Sequence, residues 1–464
     1  MLSEVLCDQL AAIVGAANVR TDAVDFSRFG VDRTSQWQAA PCAVVLPAST
    51  EEVAAIVALA NREQLAIVPS GGRTGLSGGA VACKGELVVA LDRMNKVIDF
   101  NAIEQTVTCE AGMITQNLQN FAVEKGLFYP VDFASSGSSQ IGGNIATNAG
   151  GIKVIRYGMT RDWVLGLKVV TGNGDVLDLN QGLVKNNSGY DFRHLFIGSE
   201  GTLGLVTECT IKLARPPRDM SVLVLGVESF GAIMDVLKTF NGAMALTAFE
   251  FFSEQALQKV QAHSDLPRPF ETVTPFYALL EFEGTSDEEL ELPMTLFETC
   301  VEQGWVLDGV ISQSLSQAEN LWRLREDISE ATSFYKPYKN DISVPVSRMP
   351  AFLHEVSELV AEAYPDYVIV WFGHIGDGNL HLNILKPESL EQAEFVRHCG
   401  NISHQVGQLV KQHGGSISAE HGIGLAKKDY LQYTRSAVEV DLMRQVKRVF
   451  DPNGIMNPGK IFDL

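Results

Sequence analysis

Residues 371–383 read WFGHIGDGNLHLN, two short runs of strand-forming residues on either side of an Asp-Gly pair. Such a pattern predicts a β-hairpin with residues 377 and 378 at the turn, because both turn positions need positive φ. In that register His374 lies directly opposite His381, with Cβ atoms roughly 5 Å apart. Asn383 is expected on the same face, since side chains alternate along a strand.

The facing histidines suit a divalent metal ion. Two imidazoles at that separation can share one ion, and a carboxylate from elsewhere completes a three-ligand site with open positions. The sequence SAEHGIG offers Glu420 as the third ligand, followed at once by His421. A histidine pair on a hairpin is more often structural, so the hairpin alone leaves both interpretations open. Glycines at 373, 376 and 378 favour a ligand, because strand glycines often mark a close approach.

Length, charge and cysteines narrow the class of protein. A chain of 464 residues with 46% hydrophobic content is expected to form about two or three domains. Acidic residues number 56 against 36 basic ones, and the net charge of −20 argues against nucleic acid or an anionic membrane surface as partner. The seven cysteines are scattered without a CxxC pair, which is typical of reduced thiols in a cytoplasmic protein and gives no iron–sulfur motif. No apolar run reaches the length of a membrane span, and the acidic, amphipathic amino terminus predicts a helix rather than a signal peptide.

Three runs of glycine and other small residues precede residue 205. The first, PSGGRTGLSGG over 69–79, follows a predicted strand, and its successive backbone N–H groups can converge on a phosphate. It lacks the signatures of a P-loop and of a Rossmann nucleotide site, and a surface loop explains it equally well on its own. The second, SSGSSQIGGNIATNAGG over 135–151, suits a narrow slot against a large flat ligand. The third is GSEGTLG over 198–204.

Secondary-structure signals outline an α+β unit and a second sheet. Strands are predicted over 41–49, 65–69, 164–171, 176–179 and 205–214, and a helix over 51–64 with Thr50 as its N-cap. The sequence Arg-Pro-Pro-Arg at 215–218 predicts a domain boundary. Strands at 220–227 and 277–284 then alternate with helical segments.

The stretch LWRLREDISEATSFYK (321–336) predicts a helix with an apolar stripe. The residues of that stripe are Leu321, Leu324, Ile328 and Ala331. Arg325 and Ser329 form an i, i+4 pair beside it, and Lys339 follows at the start of a predicted strand. By pattern alone, the favoured interpretation is a solvated helix face with Arg325 paired to a glutamate.

The glycine runs resemble the FAD-binding half of the vanillyl-alcohol oxidase/p-cresol methylhydroxylase superfamily. HIGDGNLHLN, SAEHGIG and the closing FDPNGIMNPGK resemble the FAD-linked oxidase C-terminal domain, in the branch of D-2-hydroxyacid dehydrogenases that includes D-lactate and D-2-hydroxyglutarate dehydrogenases. The match covers nearly the whole chain. It implies an α+β fold, with a two-part FAD-binding domain of the vanillyl-alcohol oxidase type over 1–215 and an antiparallel-sheet substrate (cap) domain with the metal site over 216–415. A helical C-terminal segment, 416–464, would return to the flavin.

The resemblance also implies which residues contact FAD. The first run would cradle the pyrophosphate, the second would flank the isoalloxazine and ribityl chain, the third would lie near the adenine half, and the carboxyl terminus would return to the flavin. The implied residues are Pro69, Gly71, Gly72, Arg73, Thr74, Gly75, Leu76, Ser136, Gly137, Gly142, Gly143, Asn144, Thr147, Asn148, Gly150, Glu200, Gly201, Gly204, Val206 and Asn457. No histidine precedes His194, which excludes histidyl attachment at the first loop and favours non-covalent FAD.

In this branch the expected reaction is oxidation of D-2-hydroxyglutarate to 2-oxoglutarate by hydride transfer to FAD. A divalent metal, with Zn²⁺ the first choice, would bind His374, His381 and Glu420 and activate the substrate hydroxyl. His421 would contact the substrate and take up the hydroxyl proton as the catalytic base. A structural role for His421 is the alternative.

Selection of a dicarboxylate is expected from a second set of residues. Asn383 would orient the first carboxylate, and Arg325, Ser329 and Lys339 would hold the second through charge-assisted hydrogen bonds. Two cations at the far end of a pocket favour a dianion, because unpaired buried charge is costly. Ser329 stands where the relatives have threonine, and the spacing from Arg325 to Lys339 is one residue shorter than in eukaryotic members.

Several alternatives stay open. The substrate could be D-malate, D-lactate or glycolate, or the chain could be an FAD subunit of a multi-subunit glycolate oxidase. A binding protein without enzymatic activity is the third interpretation. With no iron–sulfur or nicotinamide motif, electrons are expected to pass to an external acceptor, by analogy an electron-transfer flavoprotein or a quinone-linked route. Reaction with oxygen and a homodimer also stay open.

Overall fold

The computed structural model describes residues 2–34 and 36–464, which divide into two units. Unit 1 comprises Met1–Gly151, Met159–Pro216 and Glu420–Leu464, and unit 2 comprises Ile152–Gly158 and Pro217–Ala419. Each unit has its own sheets and its own buried apolar cluster. Among the described residues, no helix combines the length and hydropathy needed to cross a bilayer.

Unit 1 is built on two sheets. Its strands are β1 Val19–Arg20, β2 Ala43–Val45, β3 Ile67–Ser70, β4 Leu87–Ala90, β5 Val97–Asn101, β6 Thr106–Glu110, β7 Val164–Thr171, β8 Val176–Leu179 and β9 Gly204–Lys212. The first sheet has the order β1-β2-β4-β3, with β4 parallel to both of its neighbours. The second has the order β5-β6-β9-β7-β8 and is antiparallel. Every residue of β4 is buried, which explains why its sequence is apolar without alternation.

Unit 2 is built on one antiparallel sheet in the order β13-β10-β12-β11-β15-β16-β14. Its strands are β10 Met220–Val227, β11 Leu246–Ser253, β12 Phe276–Glu283, β13 Val306–Ile311, β14 Tyr338–Ser343, β15 Val368–His374 and β16 Asn379–Leu385. This order confirms the antiparallel sheet that the resemblance implies for this part of the chain.

Eight of the fifteen α-helices in the described part of the chain have an N-cap side chain that accepts a backbone N–H. The fifteen helices are α1 Glu4–Val14, α2 Ala23–Phe29, α3 Thr50–Glu63, α4 Thr115–Glu124, α5 Ile141–Thr147, α6 Val154–Tyr157, α7 Arg193–Phe196, α8 Phe230–Ala243, α9 Glu254–His263, α10 Asp287–Glu302, α11 Leu315–Glu326, α12 Ile328–Ser333, α13 Met349–Ala363, α14 Gln392–Gln412 and α15 Ala437–Phe450. The predicted cap of α3 is wrong by one residue: Ser49 is the N-cap, and its Oγ accepts from the Glu52 backbone N–H at 3.2 Å.

The predicted helix at 321–336 is two helices, α11 and α12, which meet at Asp327. Aspartate favours helix ends over helix interiors because its carboxylate competes for local hydrogen bonds, and here Arg323 donates to it at 3.0 Å. The apolar stripe is nevertheless buried in the unit 2 core as a continuous set. Its members are Leu321, Leu324, Ile328 and Ala331.

The predicted register of the hairpin is wrong by two residues. The α-carbon of His374 is opposite that of Asn379, and His381 is opposite Phe372, so the turn has four residues rather than two. Backbone groups in the turn have partners elsewhere in the sheet: Gly376 N–H donates to Phe249 at 3.1 Å, and the Gly378 carbonyl accepts from Val344 at 3.1 Å. Because the shift is an even number of residues, each side chain stays on its predicted face.

The hairpin glycines make room for protein atoms. A Cβ at Gly373 would lie 2.3 Å from the Asn379 carbonyl oxygen, and one at Gly376 would lie 2.5 Å from Ile155 Cδ1. At Gly378 the nearest atom is the Val344 carbonyl oxygen at 2.4 Å. Close packing against the opposite strand, helix α6 and the chain just after β14 therefore accounts for these three glycines, and they do not by themselves indicate a ligand.

Candidate active site

One cavity of unit 1 is lined by residues from all three glycine-rich runs. The predicted FAD-binding residues that line it are Pro69, Gly71, Gly72, Arg73, Thr74, Gly75, Gly142, Gly143, Asn144, Thr147, Glu200, Gly201, Gly204 and Val206. Those that do not are Leu76, Ser136, Gly137, Asn148, Gly150 and Asn457. The fold thus brings together runs that lie up to about 130 positions apart in the sequence.

Glycine is required where two of the runs touch. A Cβ at Gly72 would lie 2.3 Å from the Ser138 carbonyl oxygen and 2.9 Å from the Gln140 backbone nitrogen. At Gly201, φ is +70° and a Cβ would lie 2.8 Å from Pro69 Cγ. Backbone atoms cannot rotate away as a side chain can, so the first and second runs approach this closely only with Gly72 between them.

Positive φ values occur at two residues that line the same cavity, Arg73 and Glu200, and at Asn148 and Asn457, which do not line it. Arg73, Asn148, Glu200 and Asn457 have φ values of 60°, 50°, 51° and 41°, a region that non-glycine residues rarely occupy. Asn457 Nδ2 donates to the carbonyls of Glu200 and Gly79 at 2.7 and 2.9 Å, which ties two of the runs together. Strain of this kind persists where the surrounding contacts impose it, and it is common at ligand-binding sites.

The side chains around the cavity include two that sequence reasoning missed. Asp32 Oδ2 accepts from the Gly78 backbone N–H at 2.8 Å and so holds the end of the first run; burial raises its pKa. Gln140 lines the cavity, and its Oε1 is buried without a hydrogen-bond partner, as is Asn457 Oδ1. Orphaned acceptors next to a glycine cradle fit a ligand that carries N–H donors and phosphates, as FAD does. Arg73 also lines the cavity, and its guanidinium donates to Asp92 at 2.9 and 3.0 Å.

Glu200 holds the loop that carries Glu420 and His421. Its carboxylate accepts from the backbone N–H groups of Ile423 and Gly424 at 2.7 and 2.8 Å. Glu420 Oε1 and His421 Nε2 lie 3.6 Å apart at the start of this loop. Burial raises the pKa of Glu200 to about 6, although both N–H groups and Lys427 favour the charged form.

The raised pKa of Glu200 predicts a pH-dependent stability. The contribution of Glu200 to the free energy of unfolding is fully present below its ordinary pKa of 4.5. It decreases by about 2 kcal/mol as the pH rises through the folded-state pKa of about 6. We therefore expect the free energy of unfolding of the wild type, minus that of Glu200→Gln, to increase by about this amount from pH 7 to pH 4.5. Urea unfolding at several pH values measures it, and a difference that is constant over this range contradicts the assignment.

The predicted metal-binding histidines lie on one face of the unit 2 sheet. The ring centroids of His374 and His381 are 5.3 Å apart, and the two residues are only 7% and 9% exposed. Since directly opposite residues of paired strands share a face, Asp341 and Lys339 of β14, Asn383 of β16 and Glu250 of β11 lie on this face too.

Glu250 is buried between His374 and Arg325. Its Oε1 is 2.7 Å from His374 Nδ1, and its Oε2 is 2.8 Å from Arg325 Nη2, an ion pair whose angle falls outside hydrogen-bond geometry. Arg325 is 5% exposed, stacks over Phe372, and leaves Nε and Nη2 without hydrogen-bond acceptors. The interpretation from pattern alone, a solvated helix face, is thus wrong because Arg325 is buried. The glutamate partner that it included is present as Glu250.

The remaining predicted residues of unit 2 differ in exposure. Asn383 is 2% exposed, and its Nδ2 has no hydrogen-bond partner. Lys339 lies opposite Asn383 in the β14–β16 pair, and desolvation lowers its pKa. The residue is nevertheless exposed, so the expectation of a second buried cation is wrong for Lys339. Ser329 is exposed at the start of α12 and is no longer in one continuous helix with Arg325. Buried donors without acceptors are rare and suggest an anionic ligand that the protein alone does not supply.

The chain that leads to Glu420 is attached to β14. Ser416 and Ser343 exchange backbone hydrogen bonds at 2.7 and 3.0 Å, and Ser418 Oγ donates to Asp341 Oδ2 at 3.5 Å. Asp341 Oδ1 is 3.9 Å from His381 Nδ1. Residues 416–419 thus belong to unit 2 beside the histidine face, and Glu420 follows directly as the first residue of the last segment of unit 1.

Sequence reasoning missed Glu250 and Asp341. Glu250 did leave a signal, since it is the one charged residue of the apolar strand LTAFEFFS, and a buried charge requires a partner. Asp341 left none, because an aspartate near the end of a strand is usually solvated.

Both halves of the chain match families of known proteins. Residues 41–180 match the family model described as FAD binding domain, and residues 216–461 match FAD linked oxidases, C-terminal domain. The chain is 58% identical over 462 residues to a D-2-hydroxyglutarate dehydrogenase of Stutzerimonas stutzeri (strain A1501), covering 100% of both chains. It is 55% identical to one of Xanthomonas citri pv. viticola, covering 98% of this chain and 96% of the relative.

More distant proteins share the fold. A mitochondrial D-2-hydroxyglutarate dehydrogenase of Arabidopsis thaliana is 38% identical, covering 97% of this chain and 80% of the relative. The solved structure of p-cresol methylhydroxylase with substrate bound superposes with a TM-score of 0.74 at 16% identity, covering 99% of this chain and 96% of that one. The chain therefore belongs to the FAD-linked oxidases, with the fold of the vanillyl-alcohol oxidase/p-cresol methylhydroxylase superfamily, and is an FAD-dependent oxidoreductase.

Proposed function

We propose that this protein oxidises D-2-hydroxyglutarate to 2-oxoglutarate with FAD as the bound electron acceptor. The observation that carries the proposal is the identity of 58%, over the full length of both chains, to a D-2-hydroxyglutarate dehydrogenase. Bound in the glycine cradle, FAD would supply the acceptor for the hydride that leaves C2 of the substrate. The orphaned acceptors and backbone contacts of that cradle support non-covalent binding.

A divalent metal, with Zn²⁺ the first choice, is proposed on His374, His381 and Glu420. Two imidazoles and one carboxylate are a donor set of catalytic zinc sites, and the Glu250 contact at His374 Nδ1 leaves Nε2 as the ligating nitrogen. When bound, such an ion supplies Lewis acidity that lowers the pKa of the substrate hydroxyl. His421, adjacent to Glu420, is proposed to receive the hydroxyl proton at its imidazole.

Selection of the dicarboxylate is proposed to rest on Arg325, Lys339, Ser329 and Asn383. Arg325 and Asn383 have buried N–H groups without acceptors, which a substrate carboxylate can satisfy. Because Arg325 is already paired with Glu250, Lys339 is the freer cation for the distal carboxylate. A neutral substrate end would leave these donors unpaired, which is why a monocarboxylate should be used less well.

Replacing Lys339 by methionine tests this selection. We expect kcat/KM for D-2-hydroxyglutarate to fall about 10- to 100-fold, the effect of losing one charge-assisted hydrogen bond, while the value for D-lactate stays within about threefold. Initial rates with both substrates measure it. Lys411→Met, an exposed lysine at the end of α14, is the matched control and should change neither value. An equal loss for both substrates contradicts the proposed role.

Anaerobic mixing tests the function directly. The purified protein is mixed with D-2-hydroxyglutarate, D-malate, D-lactate and glycolate in turn, with and without a chelator, and bleaching of the visible flavin absorbance is followed. We expect the fastest bleaching with D-2-hydroxyglutarate and slow bleaching after chelation. A faster reaction with D-lactate favours the alternative suggested by a relative described as a putative D-lactate dehydrogenase of Schizosaccharomyces pombe, 36% identical to this chain. We propose an external acceptor, such as an electron-transfer flavoprotein, for the reduced flavin.

A further inference from the structure

We propose that Glu250 is a positioning residue of the metal site, which fixes the orientation and the tautomer of His374 and is itself held by Arg325. This inference rests on the proposed function, because it presupposes that His374 binds a metal ion. It gives Arg325 a second role besides contact with substrate.

The sheet itself places Glu250 beside His374. The two residues are directly opposite in the antiparallel pair of β11 and β15, so their side chains leave the same face at neighbouring points. Oε1 and Nδ1 are 2.7 Å apart, and Glu250 is 1% exposed. A contact between rigid, paired strands restricts the imidazole ring more than a contact from a loop would.

The second oxygen of Glu250 faces Arg325 of α11. Nη2 is 2.8 Å away, and the guanidinium lies 4.8 Å from the centre of the Phe372 ring. A carboxylate that is 1% exposed requires a nearby cation, because desolvation of an uncompensated charge is costly. Arg325 therefore keeps Glu250 available as the acceptor for His374.

The contact with Glu250 determines which nitrogen of His374 carries the proton. The carboxylate supplies no proton, so Nδ1 donates its hydrogen to Oε1, and the lone pair of the neutral ring is on Nε2. A carboxylate behind a metal-binding histidine orients the ring and raises its basicity, and its loss typically weakens metal binding about 10- to 100-fold.

A neighbouring glutamate shows what a purely structural role looks like. Glu281 lies on β12 of the same sheet, is 5% exposed, and has partners for both oxygens: Lys153, Thr247 and the Trp322 indole N–H, at 2.7 to 3.0 Å. Glu250 instead bridges a predicted ligand and a guanidinium with unsatisfied N–H groups. The pair of glutamates therefore provides a matched comparison.

The experiment measures affinity for Zn²⁺ in the FAD-loaded protein by competition with a chromophoric chelator, without substrate. Glu250→Ala is compared with the conservative Glu250→Gln and with the control Glu281→Gln, and FAD content and thermal unfolding are recorded for each. We expect Zn²⁺ affinity to fall about 10- to 100-fold in Glu250→Ala, less in Glu250→Gln, and to stay at the wild-type value in Glu281→Gln.

The possible failures can be told apart. Wild-type affinity in a folded, FAD-loaded Glu250→Ala overturns the inference and leaves the metal proposal standing. An equal loss in Glu281→Gln also overturns it, because the effect would then be structural. A wild-type protein that takes up no Zn²⁺ overturns the metal proposal and this inference together, while substrate-dependent flavin bleaching still tests the dehydrogenase activity.

Discussion

Replacing His381 by alanine is expected to abolish metal binding and lower kcat about 10³-fold, while FAD stays bound. The variant removes one of three proposed ligands. The Lewis acidity of a bound metal lowers the activation barrier by several kcal/mol, and a loss of about 4 kcal/mol of this stabilisation corresponds to a 10³-fold lower rate. FAD should stay because its cavity is lined entirely by unit 1 residues, whereas His381 lies on β16 of unit 2. Metal content, visible flavin absorbance and anaerobic turnover are measured on the same preparation.

The control for this variant is His354→Ala. His354 is also in unit 2, on α13, with a side chain that is 70% exposed, and its replacement should change neither metal content nor turnover. Since truncation of a buried side chain can destabilise the fold, His381→Gln provides a second variant of similar size and polarity. Full turnover by a folded His381 variant, or by metal-stripped wild type, would contradict the proposed metal site.

Replacing Gly72 by alanine is expected to yield a protein without bound flavin. The added Cβ would lie 2.3, 2.7 and 2.9 Å from backbone atoms of Ser138, Ser139 and Gln140. None of these atoms can rotate away, so the first two glycine-rich runs must separate, at a cost of about 1–3 kcal/mol typical of overpacking. Separation of the two runs widens the cavity that would hold the pyrophosphate and isoalloxazine. Flavin content per chain, from absorbance after gel filtration, measures the effect.

Two further glycines make this prediction specific. Gly242 in α8 of unit 2 has no atom within 4 Å of an added Cβ, so Gly242→Ala should retain full flavin. Gly143 also has none, but it lines the cavity. A loss of flavin in a well-folded Gly143→Ala would therefore report contact with the cofactor rather than with protein. A Gly72→Ala protein with full flavin content contradicts the proposed cradle.

Local sequence signals were sufficient for much of the fold. The strands at 164–171, 176–179 and 220–227 have the predicted bounds, because each combines β-branched residues with flanking turn residues. The amphipathic amino terminus forms a helix as predicted. The helix at 321–336 was predicted as one segment, because its periodicity continues across Asp327 while the backbone does not.

The hairpin separates local from tertiary information most clearly. Alternation along the strands was enough to predict that His374, His381 and Asn383 share a face, since that depends only on a period of two. The register depended on a hydrogen bond that the Gly376 N–H donates to Phe249 of β11 and on one that the Gly378 carbonyl accepts from Val344, just after β14. No local pattern encodes either bond. A shift of two residues changed the opposite partners and left the face unchanged.

The amino-acid sequence by itself determined the glycine runs, the histidine face and the apolar stripe, because these depend on the size, polarity and spacing of neighbouring residues. Only the tertiary structure decided that Arg325 is buried and that Glu250, 124 positions before His374, binds its imidazole. Those contacts depend on which strands and helices pair, and strand pairing is set by burial summed over a whole sheet rather than by any short stretch.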